Sequence, residues 1–230
     1  MPVTIRFLGH SAFHITSGDA DLLIDPFITG NPSAETAGIK ADDFKPTHIL
    51  LTHAHGDHLG DAPAIAKRTG AQLIANFEIG EWFTSEHKHE NINAGNPGGR
   101  VPTDFGSVDF TYAIHSSSLD SVSPAIYMGN PCGLVIKIAG TSIYHAGDTA
   151  LFSDMKLIGE LHKPDIAILP IGDRYTMGPA HASLAADWVG AKAVIPCHYN
   201  TWPPIEIDIS QFKPKSASVH ALKPGESLEV

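Results

Sequence analysis

The reading of this chain turns on Thr52-His53-Ala54-His55-Gly56-Asp57-His58-Leu59-Gly60, which directly follows the apolar run His48-Ile49-Leu50-Leu51. Positions 53 to 58 carry three imidazoles and one carboxylate. Four such groups leaving the end of one strand are hard to explain as packing. Imidazole suits zinc, nickel, iron or manganese, and a carboxylate adds affinity for hard cations. The spacing is not that of the helical His-Glu-x-x-His arrangement, which places two imidazoles four residues apart on one face. His53 and His55 are two apart, so in an extended segment they leave on the same side. Asp57 and His58 are adjacent and diverge, which suits two neighbouring ions better than one. The competing reading is a solvated histidine-rich loop, and the density of the spacing weighs against it.

Composition bounds the rest. The 230 residues suffice for one large α/β domain, and 43% hydrophobic with 17% charged residues is a globular balance. A formal net charge of -10 argues against general affinity for nucleic acid or anionic membrane. Bound cations can still reverse the field locally. The segment from Met1 to Leu8 shows no signal-peptide pattern, and no apolar run approaches the roughly 18 residues of a membrane span. Cys132 and Cys197 are too few for a disulfide framework and lack basic neighbours that would favour a thiolate. The expectation is a cytoplasmic protein acting on a small molecule, with no membrane partner, nucleic acid disfavoured and a homo-oligomer left open.

Taken in order, residues 3–8 alternate as a strand, and 12–16 with 21–25 read as a hairpin around Ser17-Gly18-Asp19. Asp25-Pro26 closes the second arm. Residues 30–46 read as a long surface loop. After the histidine-rich stretch, a helix is expected with Asp61 as cap, Pro63 early and Gly70 as stop. A buried strand at 71–76 and a short helix at 78–85 follow. Residues 87–100, polar and rich in Gly and Asn, read as a mobile loop with His87 and His89 solvated. A strand or strand pair at 106–114 ends on His115, and 119–133 read as loop. A hairpin over 134–145 leads into Ala146-Gly147-Asp148-Thr149. Helices near 153–162 and 180–189 alternate with the apolar strands Ile166-Ala167-Ile168-Leu169-Pro170 and Ala193-Val194-Ile195-Pro196, the latter delivering Cys197-His198-Tyr199. The tail, 210–230, holds a short helix and a final strand. Strands buried between helical layers point to an αββα four-layer α/β sandwich, with 1–230 as one domain.

His115, Asp148 and His198 each fall just after an apolar strand, where loops of layered α/β proteins converge on ligands. Singly, each is an ordinary turn residue. Beside the 53–58 cluster they gain weight.

With these pieces assembled, the sequence resembles the metallo-β-lactamase superfamily through His53-x-His55-x-Asp57-His58, His115, Gly147-Asp148-Thr149 and His198, with Asp25 closing an early strand. It is most similar to the UPF0173 group of metal-dependent hydrolases, near the UlaG-like branch. Gly9-His10-Ser11, Leu23-Ile24-Asp25-Pro26-Phe27, Tyr127-Met128-Gly129-Asn130-Pro131, Tyr175-Thr176-Met177-Gly178-Pro179 and His198-Tyr199-Asn200-Thr201 carry that similarity. Cys197 departs from the aliphatic residue expected there and is read as packing.

The resemblance implies two divalent metal ions, zinc first and manganese, nickel or iron as alternatives. His53, His55 and His115 would hold one; Asp57, His58 and His198 would hold the other; Asp148 would bridge them. It further implies a metal-bound hydroxide nucleophile that hydrolyses a small ester, lactone or related substrate, with Asp57 and Asp148 as the catalytic carboxylates. Asp25 is either a carboxylate orienting a ligand imidazole or a turn residue before proline. His10 is expected to line the pocket, with Asn130 and Tyr199 as further substrate contacts. His181 reads as a surface residue at a helix start, and His14, His48, His145, His162 and His220 read as structural. The alternatives are a phosphodiesterase or nuclease of the same fold, and a non-catalytic metal-dependent binding or sensor protein.

Overall fold

The runs Leu22-Leu23-Ile24, Ile49-Leu50-Leu51 and Ile166-Ala167-Ile168-Leu169 have no polar face to give to water, so each must be covered on both sides. The computed structural model, which describes residues 1–230, covers them with two sheets face to face and helices outside. The first half supplies β1 (Thr4–Gly9), β2 (Ala12–Ser17), β3 (Ala20–Ile24), α1 (Pro32–Thr36), β4 (His48–Leu50), α2 (Gly56–Leu59), α3 (Ala62–Thr69), β5 (Gln72–Ile74) and α4 (Phe77–His87). The second supplies β6 (Arg100–Thr103), β7 (Gly106–Tyr112), β8 (Ser118–Leu119), β9 (Ile126–Tyr127), β10 (Cys132–Ile138), β11 (Thr141–His145), α5 (Met155–His162), β12 (Ile166–Pro170), α6 (Pro179–Val189), β13 (Ala193–Cys197), β14 (Ser218–Val219) and β15 (Ser227–Glu229).

One sheet runs β15-β1-β2-β3-β4-β5 and the other β14-β13-β12-β11-β10-β7-β6. Side-chain parity then sorts the core. Leu22, Ile24, Ile166 and Ile168 point between the sheets, where they meet Phe13, Phe110 and Ile136. Leu23, Ile49 and Leu51 face outward onto Ile65 of α3 and Phe83 of α4. Ala167 and Leu169 face the other way, onto Met155 of α5 and Ala182 of α6. The fold is the expected αββα sandwich.

Several local expectations give way. The stretch 30–46 is not one loop. Asn31 caps α1 by accepting from the backbone N–H of Ser33 and Ala34, Pro32 opens the helix, and a 3-10 turn covers Ala41–Asp43. Asp61 precedes α3 but makes no side-chain cap; its carboxylate accepts instead from the N–H groups of Ile28 and Thr29, at 3.1 and 2.8 Å, and pins the loop after β3. The segment 87–100 is polar, yet its backbone bonds along β5: Leu73 N donates to Asn91 O, Asn93 N to Leu73 O, and Gly95 N to Ala75 O. His89 is accordingly buried and bonds Ala71 O at 2.9 Å, and His87 packs against Trp82. The stretch 119–133 is not all loop: β8 and β9 pair Ser118 with Tyr127 and Leu119 with Ile126 as a small hairpin. No helix is long and apolar enough to cross a membrane.

Gly60 shows how tightly the metal-type loop is built against its surroundings. Its φ is +42°, and a Cβ there would lie 2.5 Å from Phe27 Cα and from the Pro26 carbonyl oxygen. Gly60→Ala is expected to lower stability by about 2 kcal/mol or more, from left-handed strain and the backbone clash. The thermal midpoint reads this directly; an unchanged midpoint would mean the two segments are not in contact in solution.

Candidate metal centre

Strand direction explains why the candidate ligands meet. β3 and β4 are parallel, and β1 is antiparallel to β2, which is antiparallel to β3, so all three end on one rim. In the other sheet, β11, β12 and β13 are parallel, and β7 reaches the same direction through two antiparallel pairings with β10. That rim collects His10 after β1, Asp25 after β3, the 52–58 stretch after β4, His115 after β7, Asp148 after β11 and His198 after β13. Gly147, with φ +62°, lets the Asp148 turn close on its neighbours, since a Cβ there would lie 2.7 Å from Cys132 O. His145 shapes the same turn by accepting from Gly147 N at 3.1 Å.

Asp25 settles into one of its two roles. It is fully buried and accepts from Thr52 N at 2.8 Å, Thr52 Oγ1 at 2.6 Å and His58 Nδ1 at 2.8 Å. The Thr52 hydroxyl, having donated to Asp25, accepts from His53 Nδ1 at 3.0 Å. One carboxylate therefore fixes protons on Nδ1 of both His53 and His58 and turns Nε2 of both rings to the rim, where that of His53 lies 3.1 Å from His55 Nδ1 and that of His58 lies 3.4 Å from Asp148 Oδ1. The sequence offered Asp25 as a candidate for this task; the part of Thr52 was missed, and its only signal was a hydroxyl residue immediately before the first histidine.

Three groupings of ligand atoms result, each with all atoms within 4.8 Å of one another: His53, His55 and His115; His10, Asp57, His58 and His198; and His53, His58 and Asp148. The third is the junction of the other two. Asp148 lies 3.4 Å from His58 Nε2 through Oδ1, and 3.6 and 3.0 Å from His115 and His198 Nε2 through Oδ2. His55 is steadied by Ser116 Oγ, 3.3 Å from its Nε2.

The remaining expected residues fall differently. His10 is brought into the cluster, but both ring nitrogens are engaged, by Thr201 Oγ1 at 2.8 Å and Asp57 Oδ2 at 3.1 Å, so it has no free polar atom for a substrate. Asn130 is exposed, its side chain accepts from the Tyr127 hydroxyl, and its carbonyl takes a bond from Asn76. Tyr199 is half-buried and packs against the core beneath α5 and α6 rather than joining the ligand cluster. His181 is exposed at the start of α6. Cys197 sits in the core between the sheets, where burial pushes its thiol well above the usual range.

Charge is distributed to match. Burial alone would lift the Asp148 carboxyl, but His198 and His58 beside it hold it well below the usual carboxylate range. Burial would also depress His198, and Asp148 outweighs that, raising it to about 9; His58 is raised in the same way by Asp148 and Asp25. Asp57 is held low against its own burial by hydrogen bonds from His10 and His198. Burial keeps His53, His115 and His10 neutral, the last lowered to about 4. His58 Nε2 and Asp148 Oδ1 are buried with no hydrogen-bond partner. Orphaned imidazole and carboxylate atoms facing each other fit divalent ions, which would satisfy both and displace the histidine protons.

Comparison with known proteins agrees. Residues 4–198 match the beta-lactamase superfamily domain. A UPF0173 metal-dependent hydrolase of Geobacillus thermodenitrificans is 49% identical over 98% of this chain and 99% of its own. One from Pyrococcus furiosus is 47% identical over 99% of this chain and all of its own. The solved structure of Igni18, a metallo hydrolase from Ignicoccus hospitalis, superposes with a TM-score of 0.87 at 38% identity, covering 100% of this chain and 99% of that one.

The charge pattern sets a pH dependence for chelator-treated protein. His198 and His58 are raised, so their stabilisation is complete below the ordinary value of 6.5 and lost as pH climbs, for His198 through about 9. His10, His53 and His115 are lowered, so theirs is present above 6.5 and lost as pH falls, for His10 through about 4. The thermal midpoint should therefore peak near pH 6.5, and adding zinc should flatten the alkaline arm. A midpoint that climbs steadily from pH 6.5 to 9 without metal would contradict the pairing. Asp25→Asn is expected to weaken metal binding about 10- to 100-fold in calorimetry, by freeing the His53 and His58 rings.

Proposed function

This chain belongs to the beta-lactamase superfamily and, within it, to the UPF0173 metal-dependent hydrolases, and on that premise we propose that it binds two divalent ions and hydrolyses a small neutral ester or lactone. His53, His55 and His115 would hold one ion, Asp57, His58 and His198 the other, with Asp148 serving both. The observation that carries this reading is the junction of His53, His58 and Asp148, where the two ligand groups share a buried carboxylate. Neighbouring dications repel and need such a shared anion. Zinc fits the imidazole-rich donor set, and manganese, nickel or iron are also compatible with it.

Bound ions supply Lewis acidity at the rim, acidifying water and polarising the oxygen of an electrophilic centre. The chain's own groups do the rest. Asp57 has a side chain 27% exposed, against 3% for Asp148 and none for Asp25, so it is the carboxylate placed to accept a hydrogen bond from water and orient it. Asp25 and Thr52 hold two imidazoles in a single tautomer and orientation, so the ligand geometry requires no rearrangement during reaction.

Substrate charge follows from what surrounds the carboxylates. Every ion-pair partner of Asp57 and Asp148 is a histidine; no lysine or arginine reaches either. With a net charge of -10, this favours a neutral ester over a phosphodiester, whose charge would fall to the ions alone to neutralise.

Metal analysis after reconstitution should find two ions per chain. Asp148→Ala should lose one of them and at least about 100-fold in turnover while retaining the fold. Retained turnover would remove Asp148 from its shared role. Assays with lactones, thioesters and bis(p-nitrophenyl) phosphate, each with zinc, manganese, nickel and iron, decide the substrate. Turnover of the phosphodiester alone would replace the ester reading, and turnover of none would favour a binding or sensor protein.

A further inference from the structure

His10 stands outside the ligand set proposed above, yet both of its ring nitrogens are engaged and one of them holds the proposed ligand Asp57. Its ring is buried, with Nδ1 at 2.8 Å from Thr201 Oγ1 and Nε2 at 3.1 Å from Asp57 Oδ2. A carboxylate only accepts, and a hydroxyl can donate, so the neutral tautomer protonated on Nε2 satisfies both bonds. The ring is also boxed by other rings: His198 at 4.1 Å, Trp202 at 4.8 Å and Phe27 at 5.9 Å between centroids.

The main chain adds a further tie. The His10 carbonyl accepts from His198 N at 2.8 Å, joining the end of β1 in one sheet to the end of β13 in the other. Both residues have left-handed backbone, with φ of +57° at His10 and +54° at His198. Such conformations persist only where surrounding structure over-determines them, and they cluster at functional sites. His10 thus grips Asp57 with its side chain and His198 with its backbone, and it is anchored in turn by Thr201, three residues beyond His198.

We propose that His10 is a positioning residue for the Asp57–His198 half of the centre: it occupies Oδ2 of Asp57, leaves Oδ1 available to an ion, and fixes the strand end that presents His198. This rests on the two-ion reading and assigns its second half a dedicated support, as Asp25 supports His53 and His58. The competing role is direct ligation, because His10 lies within 4.8 Å of Asp57, His58 and His198. Ligation would require Nε2 to give up its proton and its bond to Asp57.

The test is zinc calorimetry on the full chain with His10→Ala, His10→Gln and Thr201→Val, each checked for folding by its thermal melt. The parent should show two binding steps. In His10→Ala one step should weaken about 10- to 100-fold and the other stay unchanged. His10→Gln, whose side-chain amide can still donate to Asp57, should recover most of that loss, and Thr201→Val should show a smaller loss in the same step. In the zinc-loaded parent, nitrogen-15 spectra should show Nε2 of His10 still protonated. No change in either step, no rescue by Gln, or a metal-shifted Nε2 would each overturn the proposal. A parent with a single step would refute the two-ion reading instead; the His10 proposal then stands only if His10→Ala weakens that step and Gln restores it.

Discussion

The constraint on which the rest of the centre depends is the buried carboxylate of Asp25. An ionised carboxylate withdrawn from water costs several kcal/mol unless its lone pairs are met. Here three donors meet them, and two of the three come from Thr52, the residue that opens the histidine-rich stretch. The third is His58. Satisfying Asp25 therefore orders two imidazoles belonging to different halves of the proposed centre. The left-handed backbone at Asp25, φ +43°, is the conformational cost of turning the carboxylate inward at the end of β3.

The same logic extends to charge. Without ions, raised pKa values at His58 and His198 provide cations next to Asp148, and burial keeps His53 and His115 neutral as acceptors. Asp25, Thr52 and Ser116 hold the candidate ligand rings through hydrogen bonds of the chain's own.

Much of this was legible in the sequence, and the division between what was and what was not has a physical basis. Unbroken apolar runs identify strands covered on both faces, so Ile166-Ala167-Ile168-Leu169 and Ala193-Val194-Ile195 pointed to a layered fold, while 21–25 read only as the second arm of a hairpin. The spacing of His53, His55, Asp57 and His58 marked a metal-type loop by density alone. Contacts that join distant segments were not legible. Nothing local to Asp61 says that its carboxylate reaches back to Ile28 and Thr29 rather than capping its own helix. Nothing in the composition of 87–100 says that its backbone bonds along β5, since polar side chains leave the main chain free to pair. Asn130 and Tyr199 were drawn toward the site by their neighbours in sequence; the fold gave Asn130 to Tyr127 and Asn76, and Tyr199 to the helical layer.

Chain order gives the sheet edges a temporal meaning. β1, which presents His10, is flanked by β2 on one side and by β15 on the other, and β13, which presents His198, takes β14 as its outer neighbour. Both outer neighbours come later in the sequence than every other strand. As the chain emerges from the ribosome, the strand ends carrying His10 and His198 have open backbone edges until residues 218–229 arrive. The two supports of the proposed centre are thus completed at different points along the chain: the Asp25–Thr52–His58 support lies wholly within the first 58 residues, whereas the His10–His198 clasp needs the second sheet and gains its edge strands last.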